Sequence, residues 1–218
     1  MNIYSDFIFP RMFDTVVRHQ GFELSRHSLL ARVRGRILEL GIGTGLNLDH
    51  YPRWVKHITA VEPNPGMIER LEKRASGHRV SVDCRMTQAE DLPFTAGSFD
   101  TVISSLTLCS VGDLQKALME VRRVLAPGGQ FIFMDHGLSP EPRIAMTQKM
   151  LNPLQKLIGC GCQLTVDVED EIRRAGFKIQ ELQSHYVGTG PKFLGHLYEG
   201  VAMAHSARPG PLIPSTDD

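Results

Sequence analysis

The sequence predicts an α/β protein with a seven-stranded, mostly parallel sheet and helices on both faces. Three observations predict it. Short apolar runs alternate with helix-patterned segments, the order that builds a parallel sheet covered on both sides. The first run, "RILEL" at 36–40, ends in the glycine-rich turn "GIGTG", at the strand end where such sheets bind ligands. Two late runs, 177–183 and 193–204, follow one another without an intervening helix and read as an antiparallel C-terminal hairpin at one edge.

Each element has its own warrant. Residues 8–33 read as helical, because Phe9, Met12, Phe13, Val16, Val17 and Leu24 recur near helical spacing, with a break at Gly21. Residues 1–34 are therefore expected to form a helical cap. A short helix is expected from Leu46, and "HITAVE" at 57–62 is the second strand. Pro65 stands where proline favours a helix start, so 65–76 is a helix with Met67, Ile68 and Leu71 inward. "RVSVDC" at 79–84 and "FDTVISS" at 99–105 are the third and fourth strands. Asp113 to Leu125 is helical, with Leu114, Leu118, Val121, Val124 and Leu125 on one face, and stops at "APGG". "QFIFMDH" at 130–136 is the fifth strand, a helical piece covers 143–158, and Glu169 to Ala175 closes at Gly176. Residues 1–204 read as one domain, and 205–218, with three prolines, as a disordered tail.

Composition removes several functions. Lysine plus arginine number 24 and aspartate plus glutamate 24, which argues against a nucleic-acid partner. Arg11, Arg18, Arg26, Arg32, Arg34 and Arg36 face only Asp14 and Glu23 in the same stretch. This reads as a solvated helix face, the other reading being peripheral contact with a membrane surface or an acidic partner. Cys84, Cys109, Cys160 and Cys162 do not make a disulfide framework in a chain this long. No metal is expected, since Cys160-Gly161-Cys162 has no partner histidines nearby. With no signal-peptide pattern and no apolar run near the ~18 residues of a membrane span, a cytoplasmic protein is expected. Oligomeric state is not legible.

The glycine turn discriminates among ligands. Its spacing is G-x-G-x-G, and Leu46 stands where a dinucleotide fingerprint has its third glycine. Glu39, two residues ahead of Gly41, would repel a pyrophosphate and suits a ligand with an ammonium or sulfonium charge. Glu62 ends the second strand, where a carboxylate can take both hydroxyls of a ribose.

"LELGIGTGLN", "AVEPNPGM", "AEDLPF" and "VLAPGG" stand in the order and spacing of class I S-adenosylmethionine (SAM) methyltransferases, which the chain resembles. The resemblance implies a Rossmann-like fold and SAM as cofactor. It implies that Gly41, Gly43, Gly45 and Asn47 line the methionine end beside Glu39, and that Glu62 holds the ribose. Asn64 and Met67 would pack near the adenine, Gln88, Ala89 and Glu90 would flank it, and Ser104 and Ser105 would lie under the methionine. "YSDFIFPRMFD", "GLNLDHYP", "LTLCSV", "FMDHG", "GCQLT" and "YEGVA" resemble a narrower branch, spanning residues 4 to 204. It holds the methyltransferase-like thiol S-methyltransferases and bacterial proteins similar to ubiquinone and menaquinone C-methyltransferases.

That branch implies an acceptor-covering insertion at 138–166 and a substrate pocket including Cys109, Cys162, Gln163, Val166 and Tyr186. The chain departs from it at Cys160 (a glycine), Gln163 (a histidine) and Val166 (an arginine). His136, beside Asp135 at the end of strand five, is the expected general base, with Asp135 orienting it. The expected reaction is methyl transfer to a small, fairly apolar acceptor, a thiol first. N- or C-methylation of a lipid or quinone is the alternative, and a non-catalytic SAM-binding module is a third reading.

Overall fold

The computed structural model describes residues 3–17, 20–188 and 190–204. Its strands are β1 (Ile37–Leu40), β2 (His57–Val61), β3 (Ser81–Arg85), β4 (Phe99–Ser105), β5 (Leu125–His136), β6 (Phe177–Tyr186) and β7 (His196–Ala204). They form one sheet in the order β3-β2-β1-β4-β5-β7-β6. The first five run parallel. β7 is antiparallel to β5 on one side and to β6 on the other. The hairpin is therefore present, with its second strand on the inside.

The helices are α1 (Phe9–Val17), α2 (Gln20–Leu30), α3 (Pro65–Ala75), α4 (Leu114–Val124), α5 (Pro142–Ile158), α6 (Val168–Arg174) and a single turn, α7 (Lys192–Gly195). Alternate side chains of the central strands feed two cores. Ile58, Ile103 and Ile132 pack with Leu29 and Leu30 of α2 and Leu71 of α3. Val102, Phe131 and Phe133 pack with Leu118 and Val121 of α4 and Ile172 of α6. Burial on both faces is why these strands read as continuous apolar runs.

Three readings change. Residues 193–195 belong to a helical turn and not to the last strand. β5 begins at Leu125, because Leu125 already pairs with Phe99 before the irregular 126–129 stretch. The arginine-rich segment is not one solvated face. Arg26 is 3 % exposed, Arg32 pairs with Glu181 at 2.6 Å, and Arg36 with Asp100 at 3.2 Å. Arg18 and the expected tail lie outside the described residues.

The chain runs outward from β1 through β2 to β3, then returns to β4 on the other side of β1. That reversal opens a crevice at the carboxyl ends of β1 and β4, the switch point where ligands bind in open α/β sheets. The N-terminal segment lies across it and is bonded down in several places. Asn64 Nδ2 donates to the Ser5 carbonyl at 2.9 Å, and the Tyr4 hydroxyl donates to the Ile158 carbonyl at the end of α5. Buried Asp14 on α1 accepts from Arg70 of α3 at 2.7 Å and also bonds Thr44. Gly66 makes the seating close: a Cβ there would stand 2.6 Å from the Asp6 carbonyl carbon.

Gly66→Ala is therefore expected to lift the segment off α3 while the sheet stays folded, at a cost of about 1–3 kcal/mol for the overpacked contact. Limited trypsin digestion at exposed Arg11 should become several-fold faster with an unchanged circular dichroism spectrum. An unaltered digestion rate would show that the contact does not hold the segment.

Candidate active site

The crevice is a cavity of about 590 Å³, within the usual range for a small-molecule site. Its floor is the loop after β1. Gly41, Gly43 and Gly45 all have positive φ (57°, 58° and 81°), which favours glycine at each. Their surroundings differ. A Cβ on Gly41 would enter the Thr107 side chain, and one on Gly45 would come 2.7 Å from Leu71. Both are packing glycines, and Gly45 does not reach the cavity. A Cβ on Gly43 would meet nothing closer than 3.9 Å, so this glycine leaves open space over the backbone.

Two carboxylates shape the cavity. Glu62, 6 % exposed, accepts the Gly43 N–H and the Asn64 N–H, each at 2.9 Å. This clamps the glycine loop to the end of β2. Burial raises its carboxyl pKa, opposed by these two hydrogen bonds. Glu39, 1 % exposed, accepts from Asn47 Nδ2 and from the Tyr51 hydroxyl, each at 2.7 Å. Burial pushes its carboxyl up to about 7, against the pull of Tyr51, Asn47 and Arg26.

The other expected cofactor residues divide. Met67, Gln88, Ala89 and Ser105 line the cavity. Asn64 lines it too, yet its Oδ1 caps α3 by accepting from Gly66 and Met67. Glu90 accepts from the backbone N–H groups of Gly112 and Asp113, at 2.9 and 3.1 Å, and so braces the far wall. Ser104 is buried behind the cavity with its hydroxyl unbonded.

The expected catalytic pair is corrected. Asp135 does not orient His136. It is fully buried and accepts backbone N–H bonds from Thr107 (2.8 Å), Leu108 (2.6 Å), Cys109 (3.1 Å) and His136 (3.0 Å). It fixes the turn after β4. The His136 ring stacks on Phe22 of α2 at 6.1 Å, its two nitrogens are shut off from solvent, and the Cys162 thiol is the polar side chain beside it. Neither residue lines the cavity.

The expected substrate-pocket residues also fall behind the wall. Cys109 is buried, and Gln163 N–H donates to its carbonyl at 2.8 Å. Cys162 sits between Cys109 and His136; the Cys109 thiol and then the imidazole, against the cost of burial, make it the more acidic thiol of the two. The Val166 carbonyl accepts from Leu138, and the Tyr186 hydroxyl bonds Ser139 at 2.7 Å, away from the crevice. What faces the cavity instead is Ser5, Asp6, Phe9 and Phe13 from the N-terminal segment, and Gly159 and Cys160 after α5. Cys160 takes a positive φ of 48°, and Arg26 reaches the cavity from α2. Among the described residues no group of three or more His, Cys, Asp and Glu could hold a metal.

The comparisons with known proteins agree with this geometry. The methyltransferase domain family matches residues 38–133. The chain is 34% identical over 190 residues to thiol S-methyltransferase TMT1B of Homo sapiens, covering 79% of this chain and 78% of that one. The chain belongs to the SAM-dependent methyltransferases. The Rattus norvegicus TMT1B is 36% identical over 173 residues, covering 73% of this methyltransferase and 68% of that one. A solved SAM-dependent methyltransferase of Thermotoga maritima shares the fold with a TM-score of 0.62 at 24% identity, covering 89% and 98% of the two chains. SAM is the cofactor, and the cavity fits it: open space over Gly43, an acid at the end of β2, and a second acid, Glu39, lining it together with Asn47 and Arg26.

Glu39 gives the methyltransferase a pH signature. Its carboxyl ordinarily titrates near 4.5 and is raised to about 7 in the fold. Between those values the folded state keeps a proton that the unfolded state releases, so stability falls as pH rises through this window, by about 3 kcal/mol at most. Urea unfolding at pH 5 and pH 7.5 should show a smaller pH-dependent loss for Glu39→Gln than for the natural protein. Equal losses would mean that Glu39 is ionised throughout.

Proposed function

We propose that this methyltransferase acts on small, fairly apolar thiols. The observation that carries the reading is the character of the cavity wall. Its ionisable side chains are Asp6, Arg26, Glu39, Glu62, Glu90 and Cys160, with no histidine or lysine among the described lining residues. A carbon acceptor such as a quinol ring needs a strong base beside it. A thiol has an ordinary pKa near 8.5 and supplies its own thiolate, so it needs placement more than a base. Phe9, Phe13, Leu106 and Val111 offer apolar walls for that placement. The human and rat relatives named above are thiol S-methyltransferases, which supports the same acceptor class.

SAM brings a sulfonium-bound methyl group open to in-line displacement. The chain's part is alignment and exclusion of water. Glu62 holds the glycine loop in register through Gly43, and Asp135 holds the opposite wall through the 107–109 turn. The N-terminal segment, joined to the end of α5 through Tyr4 and Ile158, covers the space where the thiol would lie.

A lipid or quinone acceptor is the second reading, and one observation favours it. Met146, Met150, Leu154 and Leu157 form an exposed apolar stripe along α5, flanked by Arg143, Lys149 and Lys156. Ile8, Met12 and Val16 on the neighbouring N-terminal segment are exposed as well. Such a surface suits peripheral contact with an anionic bilayer. No helix among the described residues is long and apolar enough to cross one.

The test is methyl transfer from labelled SAM to alkyl thiols, hydrogen sulfide, phosphatidylethanolamine and a demethylated quinol. Thiols are expected to be methylated, and a silent thiol column beside an active lipid column would reverse the assignment. With two thiols of different acidity, the rise of kcat/KM with pH should follow each acceptor's own pKa. A profile fixed at one pH for both would reveal a protein base and contradict the self-ionising acceptor.

A further inference from the structure

The cavity uses neither His136 nor the two thiols beside it, yet three separate elements bring these groups together. The turn after β4 carries Cys109, β5 ends on His136, and the loop after α5 carries Cys162. That loop is fastened to the turn. Gln163 N–H donates to the Cys109 carbonyl at 2.8 Å, and a Cβ on Gly161 would stand 3.2 Å from the Ser110 carbonyl oxygen. Within the loop, Cys162 N–H donates to the Gly159 carbonyl at 3.1 Å. The Cys162 thiol is thereby held in hydrogen-bond contact with the Cys109 thiol and with the His136 imidazole, and Gln155 of α5 bonds it as well. The imidazole, closed in against Phe22, meets this thiol and no solvent.

The four thiols differ in character. Burial pushes Cys84 up to about 11, and burial with Asp6 raises Cys160. Cys109 is raised by its contact with Cys162, by burial and by the charge of Asp135. Cys162 is the one lowered, by Cys109 and then by His136 and Gln155, against the cost of burial. It is also only half-buried, whereas Cys109 is 2 % exposed. A reachable, acidic thiol beside a second, buried thiol is the arrangement of redox-sensing cysteines.

We propose that Cys162 and Cys109 are a redox-active pair, Cys162 reacting with hydrogen peroxide and Cys109 resolving the product to a disulfide. The Cys162 sulfur, as thiolate, attacks one peroxide oxygen and the O–O bond breaks. The departing hydroxide takes the proton held at His136 and leaves as water. The Cys109 sulfur then attacks the sulfur of the Cys162 sulfenic acid, and its hydroxyl leaves with the Cys109 proton as a second water. Two thiols give two electrons to the peroxide and form one S–S bond. That bond joins two stretches bordering the cavity, the first through Ser110 and Val111 and the second through Gly159 and Cys160. Oxidation therefore fixes these two walls of the ligand site to each other.

The test needs neither SAM nor an acceptor, so its outcome is separate from that of the thiol assignment. The reduced natural protein is treated with stoichiometric hydrogen peroxide, unfolded in a thiol-blocking reagent, digested and analysed by mass spectrometry. The Cys109 and Cys162 peptides are expected joined, with two hydrogens lost, while Cys84 and Cys160 carry the blocking group. Because the two thiols already touch, the bond forms without distorting the fold. The oxidised protein should melt several degrees higher and return to its first value with a phosphine reductant. Cys109→Ser should halt the reaction at a Cys162 sulfenic acid, which dimedone labels. Cys162→Ser should leave Cys109 reduced and unlabelled. No link, a Cys160–Cys162 link in its place, or a lower melting temperature on oxidation overturns the pair. Dimedone on Cys109 in the Cys162→Ser protein overturns the division of roles.

Discussion

One buried carboxylate determines the shape of the ligand crevice. Asp135 stands at the end of β5, where no solvent reaches it, and gathers the N–H groups of three consecutive residues after β4. Leu106, just before them, takes a positive φ of 56°, an uncommon conformation for a residue with a branched side chain. The amides supply the solvation that Asp135 gives up, and the carboxylate fixes a reversal the backbone would not choose unaided. Burial still lifts its carboxyl to about 6, against these bonds, so the amides do not fully replace water. Thr107 then packs over Gly41, and through that contact the position of β4's exit sets the position of β1's glycine loop.

The same economy of parts recurs across the crevice. Glu62 bonds the glycine loop and the start of α3, and Asn64 both caps α3 and holds the N-terminal segment. Glu90 holds the loop that leads into α4. Polar side chains that a sequence pattern assigns to a ligand are already bonded to backbone. Their work is to make the cavity rigid before anything enters it, which lowers the ordering cost of binding.

Much of the fold was legible. β4 matches its sequence-read span, and α3, α4 and α5 agree within a residue or two at each end, because proline, asparagine, aspartate and glycine punctuate those boundaries. Of the residues read as cofactor-facing, Gly43, Glu62, Met67 and Gln88 border the cavity, through local turns whose chemistry is written in adjacent residues. The direction of the residues read as acceptor-facing was not legible. His136 and Cys162 looked reactive by type, but their direction depends on how α2 and the 159–163 loop pack, which no local pattern records. Arg26 was grouped with neighbouring arginines by charge. A finer signal was there, since Phe22, Arg26, Leu29, Leu30 and Val33 are spaced as one helical stripe, and the four apolar members are buried.

The placement of β7 between β5 and β6 has a consequence during synthesis. β5 carries Phe131 and Phe133 into the core, yet one of its edges is completed only by β7. From His136 to His196 is 60 residues of chain, so at a ribosomal rate of roughly 5–20 residues per second that edge waits about 3–12 seconds for its partner. For that interval the nascent protein presents an unpaired apolar strand, the feature that neighbouring chains and chaperones recognise. Loss of the final strand would therefore leave a centre of aggregation in place of a slightly shorter sheet.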